Sequence, residues 1–86
     1  MTGVLIIGYG SIGQRHARLF NELGCEVAVV SRRSVTYTQC YRAIPEALSA
    51  FAADAVVIAS ATHEHASDLR TLAAHGFAGK LLVEKP

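Results

Sequence analysis

Val4-Leu5-Ile6-Ile7-Gly8-Tyr9-Gly10-Ser11-Ile12-Gly13 is the stretch on which the fold turns. Val4 to Ile7 is a continuous apolar run, mostly β-branched, that stops at a glycine. A strand buried on both faces of a parallel sheet reads this way, because neither of its faces meets water. From Ser11 to Leu23 the apolar positions Ile12, Ala17, Leu19, Phe20 and Leu23 favour one side of a helix. Ser11 is placed to cap its start and Gly24 to stop it. The glycines therefore lie between a buried strand and a helix N-terminus.

Outward from this unit the alternation continues. Glu26 to Ser31 is a second β-branched run, so strand, helix and strand fit in about 30 residues, the size of a βαβ unit. The pattern weakens between Arg32 and Ile44. Gln39 to Arg42 reads as a short edge strand, and Pro45 opens a helix in its first turn. Asp54 leads into a further buried strand over Ala55 to Ala59. Thr62 stands at the cap position of the next helix, with Leu69, Leu72 and Ala73 as its inward face and His75-Gly76 as its end. Lys80 to Glu84 is a last apolar strand. Apolar strands alternating with helices predict an α/β fold, a doubly wound parallel sheet covered on both faces, with strand order 3-2-1-4-5.

Composition removes several classes of function. With 86 residues, 51% of them hydrophobic, the chain can bury one modest core. A net charge of +1 is spread without any run of like charges, so neither a nucleic-acid arm nor a membrane-surface helix is expected. Cys25 and Cys40 form no disulfide framework, and neither Cys-x-x-Cys nor His-Glu-x-x-His spacing occurs. His63, Glu64 and His65 are consecutive, and neighbouring helix positions diverge, so no metal site is expected there. The first apolar stretch lacks the flanks of a signal peptide and the roughly 20-residue length of a membrane span. The expected location is the cytoplasm.

Gly8, Gly10 and Gly13 match Gly-x-Gly-x-x-Gly, a weak pattern alone that gains meaning from the strand before it and the helix after it. In that setting Gly8 makes the tight turn, Gly10 lets a pyrophosphate approach the backbone, and Gly13 lets helix and strand pack closely. The first N–H groups of the helix, from Ser11 and Ile12 onward, would face the phosphates. The plainer reading is a turn that needs glycine only for its backbone angles. A fold that prefers NAD usually ends its second strand in Asp or Glu, about 20 residues past the motif, to hold the ribose 2′-hydroxyl. Ser31 stands there instead, followed by Arg32 and Arg33, whose guanidinium groups suit a 2′-phosphate. NADP is the expected cofactor and NAD the fallback. The two arginines could equally be the solvated residues of a surface loop.

The Gly-Tyr-Gly-Ser-Ile-Gly-Gln-Arg-His segment, Ala59-Ser60-Ala61-Thr62-His63-Glu64-His65 and the final Glu84-Lys85-Pro86 together resemble the glucose–fructose oxidoreductase and inositol dehydrogenase family, Gfo/Idh/MocA, over essentially the whole chain. The resemblance implies a Rossmann domain of a two-domain enzyme that moves hydride between a nicotinamide and a hydroxyl-bearing carbon of a sugar, a cyclitol or a related small molecule. It places the lysine matching Lys85 near nicotinamide and substrate, where its ammonium can polarise a hydroxyl or help a proton leave. It places Ser60, Ala61 and Thr62 along the cofactor, with His65 near the cleft and Glu84 beside the cofactor.

Bland readings stay open beside these. Lys85 could be a solvated strand-end lysine, and Glu84 could simply pair with it. Arg15 and His16, within a turn of the glycines, could approach phosphate but read first as the exposed face of their helix, and Tyr9 as a cofactor contact or a residue packed on the turn. A complete domain of this kind has a sixth strand and a further helix, and the family's substrate domain would follow them. Residues 1–86 are thus expected to be one C-terminally incomplete dinucleotide-binding domain without turnover of its own, its bare edge and apolar face leaving it either marginally stable or associated with another copy. Rival readings are a dinucleotide-binding module without redox chemistry, or a scaffold without activity.

Overall fold

The computed structural model describes residues 2–33, 35–37 and 39–84. Strand β1 (Gly3–Ile7) leads into helix α1 (Ser11–Glu22), followed by β2 (Glu26–Val30), the two-residue β3 (Cys40–Tyr41), α2 (Ile44–Ala50) and β4 (Ala55–Ile58). A 3₁₀ turn (Thr62–Glu64) then precedes α3 (His65–Ala74) and β5 (Lys80–Val83). All pairings are parallel, and the sheet order is β3-β2-β1-β4-β5, as the alternation of elements predicts.

The central strand is buried on both sides because the pleat sends alternate residues to two separate cores. Leu5 and Ile7 of β1 join Ala28, Val30, Val56 and Ile58 under α2 and α3, which contribute Ile44, Ala47 and Leu72. Val4 and Ile6 join Val27, Val29 and Val57 under Ala17 of α1. Helices therefore cover both faces of the sheet, the doubly wound arrangement that an all-apolar β1 calls for.

Two helix ends follow from sequence directly. At the end of α1 the Gly24 N–H donates to the Asn21 carbonyl at 3.1 Å and the Cys25 N–H to that of Phe20 at 3.0 Å. Gly76 and Phe77 repeat these bonds after α3, onto Ala73 at 3.1 Å and Leu72 at 3.0 Å. This paired closure satisfies carbonyls that the last helical turn leaves without a partner.

The helix faces and starts differ from expectation. α1 turns Gly13, His16, Ala17 and Phe20 toward the sheet, a clean helical stripe, while Ile12, Leu19 and Leu23 are 42%, 46% and 75% exposed. The close seat of Gly13 on the turn sets that face, overriding the count of apolar residues. Gly10, not Ser11, occupies the cap position of α1, and no side chain caps it. Thr62 opens the 3₁₀ turn without capping anything; of the expected inward face of α3, Leu72 is buried and Leu69 packs half-buried against the same core, whereas Ala73 is exposed and Asp68 goes under instead. β5 is apolar yet open: as an edge strand it leaves Leu81, Leu82 and Val83 40–47% exposed. Among the described residues no helix is long and apolar enough to cross a membrane.

Candidate functional site

The carboxyl ends of β1, β2 and β4 meet where the strand order reverses, the place at which open α/β sheets leave a crevice. At β1 the chain leaves the sheet through Gly8, which takes φ +97° and donates its N–H to the Val30 carbonyl at 2.8 Å. A side chain there would be strained and would press on the Ser60 backbone nitrogen at 2.7 Å. Gly13, one turn into α1, lies so tightly on Gly8 that an added Cβ would overlap the Gly8 carbonyl oxygen. These two glycines lock helix, turn and the neighbouring strand end together. Gly10 is different: its φ is −80°, and a Cβ built on it would meet nothing within 4 Å.

A cleft of about 550 Å³ opens above this turn. Its floor is Gly8, Tyr9 and Gly10; one wall is Ser31, Arg32 and Arg33 after β2, and another is Ser60 and Ala61 after β4. Arg42 to Pro45 and the α3 side chains Ser67, Asp68 and Thr71, with Glu64 just before them, complete it. Gln14 is the first residue of α1 to reach back to a carbonyl, that of Gly10 at 2.9 Å. The N–H groups before it are the unpaired donors that make a helix start attractive to anions.

Of the sequence candidates, the cleft gathers Gly8, Gly10, Ser31, Arg32, Arg33, Ser60 and Ala61. Ser11 and Ile12 sit beside it in the first turn of α1, and Gly13 lies beneath the turn. Thr62 is exposed on the 3₁₀ turn and stays outside the lining. His65 braces the site from behind, its Nε2 2.8 Å from the Ser60 carbonyl oxygen. Glu84 is turned away from the cleft. Two residues beyond Leu82, which pairs with Val57, it shares by pleat parity the α1 face of the sheet. There Glu84 Oε1 meets Nε2 of His16, so His16 is a half-buried partner and no part of an exposed helix face. Lys85, the catalytic candidate, lies outside the described residues.

The structure adds polar groups that sequence reading passed over. Arg32 Nη1 donates to Glu64 Oε2 at 2.9 Å across the cleft, and the Ser60 hydroxyl donates to Asp68 Oδ2 at 2.6 Å. Asp68 is only 6% exposed. The signal was a second periodicity: Glu64, Ser67, Asp68 and Thr71 recur at helical spacing and form a polar stripe overlooking the sheet ends. Tyr9 packs edge-on against Tyr37 with ring centroids 5.7 Å apart. Burial pushes the Tyr37 phenol above its ordinary value, and the Tyr9 phenol adds to the rise. Among the described residues no three His, Cys, Asp or Glu side chains converge as a metal centre would require.

No curated protein matches the chain. Residues 2–86 match the family described as an oxidoreductase family with an NAD-binding Rossmann fold, GFO_IDH_MocA. A parallel sheet of this order, a glycine turn at its switch point and that match lead to one statement: the chain belongs to the Gfo/Idh/MocA oxidoreductases and forms their NAD-binding Rossmann domain.

Proposed function

We propose that residues 1–86 hold a nicotinamide dinucleotide across the glycine turn and serve an enzyme that transfers hydride to or from a hydroxyl-bearing carbon of a sugar, cyclitol or similar small molecule. The observation that carries the cofactor site is the contrast among the glycines. Gly8 and Gly13 answer to the fold, whereas Gly10 has an ordinary φ and open space around its Cβ position. A glycine where the protein itself has room for a side chain supports a role toward something outside the chain, here a pyrophosphate approaching the backbone.

On this reading the backbone at Ser11, Ile12 and Gly13 receives the phosphates at the positive end of α1. Ser31, Arg32 and Arg33 take the adenosine ribose; their two guanidinium groups favour NADP through charge-assisted bonds to a 2′-phosphate, with NAD as the other cofactor. Ser60, Ala61, Thr62 and His65 shape the wall after β4, and Glu84 fixes the end of β5. The bound nicotinamide supplies a hydride acceptor or donor. Lys85 would polarise the substrate hydroxyl or help its proton leave. Substrate recognition and turnover belong to parts of the enzyme beyond residues 1–86, so these residues alone would bind cofactor without catalysis. Both cysteines are free thiols, which suits the cytoplasm.

The test is titration of the chain with NADPH and NADH, followed by cofactor fluorescence, for wild type, Gly10→Ala and the Arg32→Ala, Arg33→Ala double variant. Gly10→Ala should weaken both cofactors and the double variant mainly NADPH. Failure of wild type to bind either would overturn the reading.

A further inference from the structure

Arg32 faces the cleft already engaged. Its Nη1 lies 2.9 Å from Glu64 Oε2, although the two residues come from different connections, one after β2 and the other at the end of the 3₁₀ turn. His63 Nε2 is a further 3.8 Å neighbour of the same carboxylate oxygen. The Arg32 side chain is 74% exposed and that of Glu64 31%, so the pair sits at the rim, where such a contact is weak enough to exchange. Neither Ser31 nor either arginine is the acid that an NAD-preferring fold carries at the end of its second strand. Glu64 nonetheless brings a carboxylate to that end of the cleft.

The geometry points to Glu64 as the residue that sets the balance between NADP and NAD, by competing with a 2′-phosphate for the Arg32 guanidinium. The inference rests on the cofactor site proposed above. A dianionic phosphate entering here must take Arg32 from Glu64 and then stand beside the displaced carboxylate, so the two anions oppose each other. A cofactor with a bare 2′-hydroxyl carries no charge at that position and leaves the ion pair in place. Arg33, for which no side-chain contact with an acid occurs among the described residues, is the guanidinium that a phosphate reaches without this competition.

The experiment measures dissociation constants for NADPH and NADH with wild type, Glu64→Gln, Arg32→Ala and the Arg32→Ala, Glu64→Gln double variant. Glu64→Gln should tighten NADPH about three- to tenfold while moving NADH less than about twofold, the scale of one exposed ion pair plus the relieved repulsion. In the Arg32→Ala background the same substitution should give no such gain. An unchanged NADPH-to-NADH ratio in Glu64→Gln overturns the inference and leaves the cofactor site standing. A gain that persists without Arg32 also overturns it, since Glu64 would then act through bulk charge alone. Absence of binding to wild type removes the site reading and this inference with it. NADH binding by each variant reports that the domain is folded.

Discussion

Glu84, at the far end of the chain, places its Oε1 2.5 Å from Nε2 of His16 in the first helix, 68 residues earlier. The imidazole is stacked on Phe20, with centroids 6.2 Å apart, and its side chain is 17% exposed. A backbone bond from the Glu84 N–H to the Ile58 carbonyl, 2.9 Å, holds the same residue to β4. The end of the edge strand is therefore tied to two elements at once, just before Lys85. His16→Ala should cost about 0.5–1 kcal/mol in urea denaturation, the net worth of one partly exposed hydrogen-bonded pair. It should also speed amide hydrogen exchange at Glu84 while leaving the α2 amides unchanged. Equal exchange at Glu84 in both proteins would show that His16 does not hold the strand end.

The glycines of the turn should separate into two kinds under alanine substitution. Gly13→Ala forces a methyl into the Gly8 carbonyl, and either α1 or the turn must move. A loss of about 2–3 kcal/mol is expected, the scale of an overpacked core. Gly10→Ala meets no atom and keeps an allowed φ, so its cost should stay within about 1 kcal/mol, as for an alanine at a helix cap. Its cofactor affinity should nevertheless fall tenfold or more. Thermal melts and cofactor titrations on the two variants decide this, and a Gly10→Ala protein that binds like wild type would remove the pyrophosphate role.

The central strands were legible because burial on both faces leaves no ambiguity: Val4 to Ile7 and Val56 to Ile58 are apolar at every position, and each proved buried. The helix faces were less so. In α1 the apolar count pointed to Ile12, Ala17, Leu19, Phe20 and Leu23, of which Ala17 and Phe20 face the core; the backbone contact between Gly13 and Gly8 aims the helix and leaves the other three exposed, and a glycine contributes nothing to hydrophobic periodicity. At the site, the turn and the loop after β2 could be read from local pattern. Glu64 and Asp68 were legible only as members of a polar stripe at helical spacing and not as contacts, since their partners Arg32 and Ser60 become neighbours only when the β2 and β4 connections are brought side by side by the sheet. The role of His16 was hidden in the same way, by a partner 68 residues away.

Tyr37 makes stability depend on alkaline pH. Its phenol titrates above the ordinary 10.0 in the folded chain, chiefly through burial and then through Tyr9. The unfolded chain thus ionises first. The contribution is complete below about pH 10 and is lost as pH rises through the higher folded value. Urea midpoints between about pH 8 and pH 11 should fall more steeply for wild type than for Tyr37→Phe. Parallel curves would assign the alkaline loss to other groups.

Ser60 and Asp68 form a part-buried polar contact in the cleft wall, hydroxyl to carboxylate at 2.6 Å, with Asp68 6% exposed. A carboxylate with so little of its surface exposed depends on its donor, and Ser60→Ala removes it without filling the space. The expected loss is about 1–3 kcal/mol, the penalty of a buried acceptor left without a partner. Asp68→Ala strips the other side and opens a small void beside Leu72, so it too should destabilise. Because both substitutions break one bond, the double variant should lose clearly less than the sum of the singles, by about 0.5 kcal/mol or more. Denaturation of the four proteins measures the coupling. Strict additivity would mean that Asp68 is satisfied by water from the cleft and that the contact does not hold the β4 connection against α3.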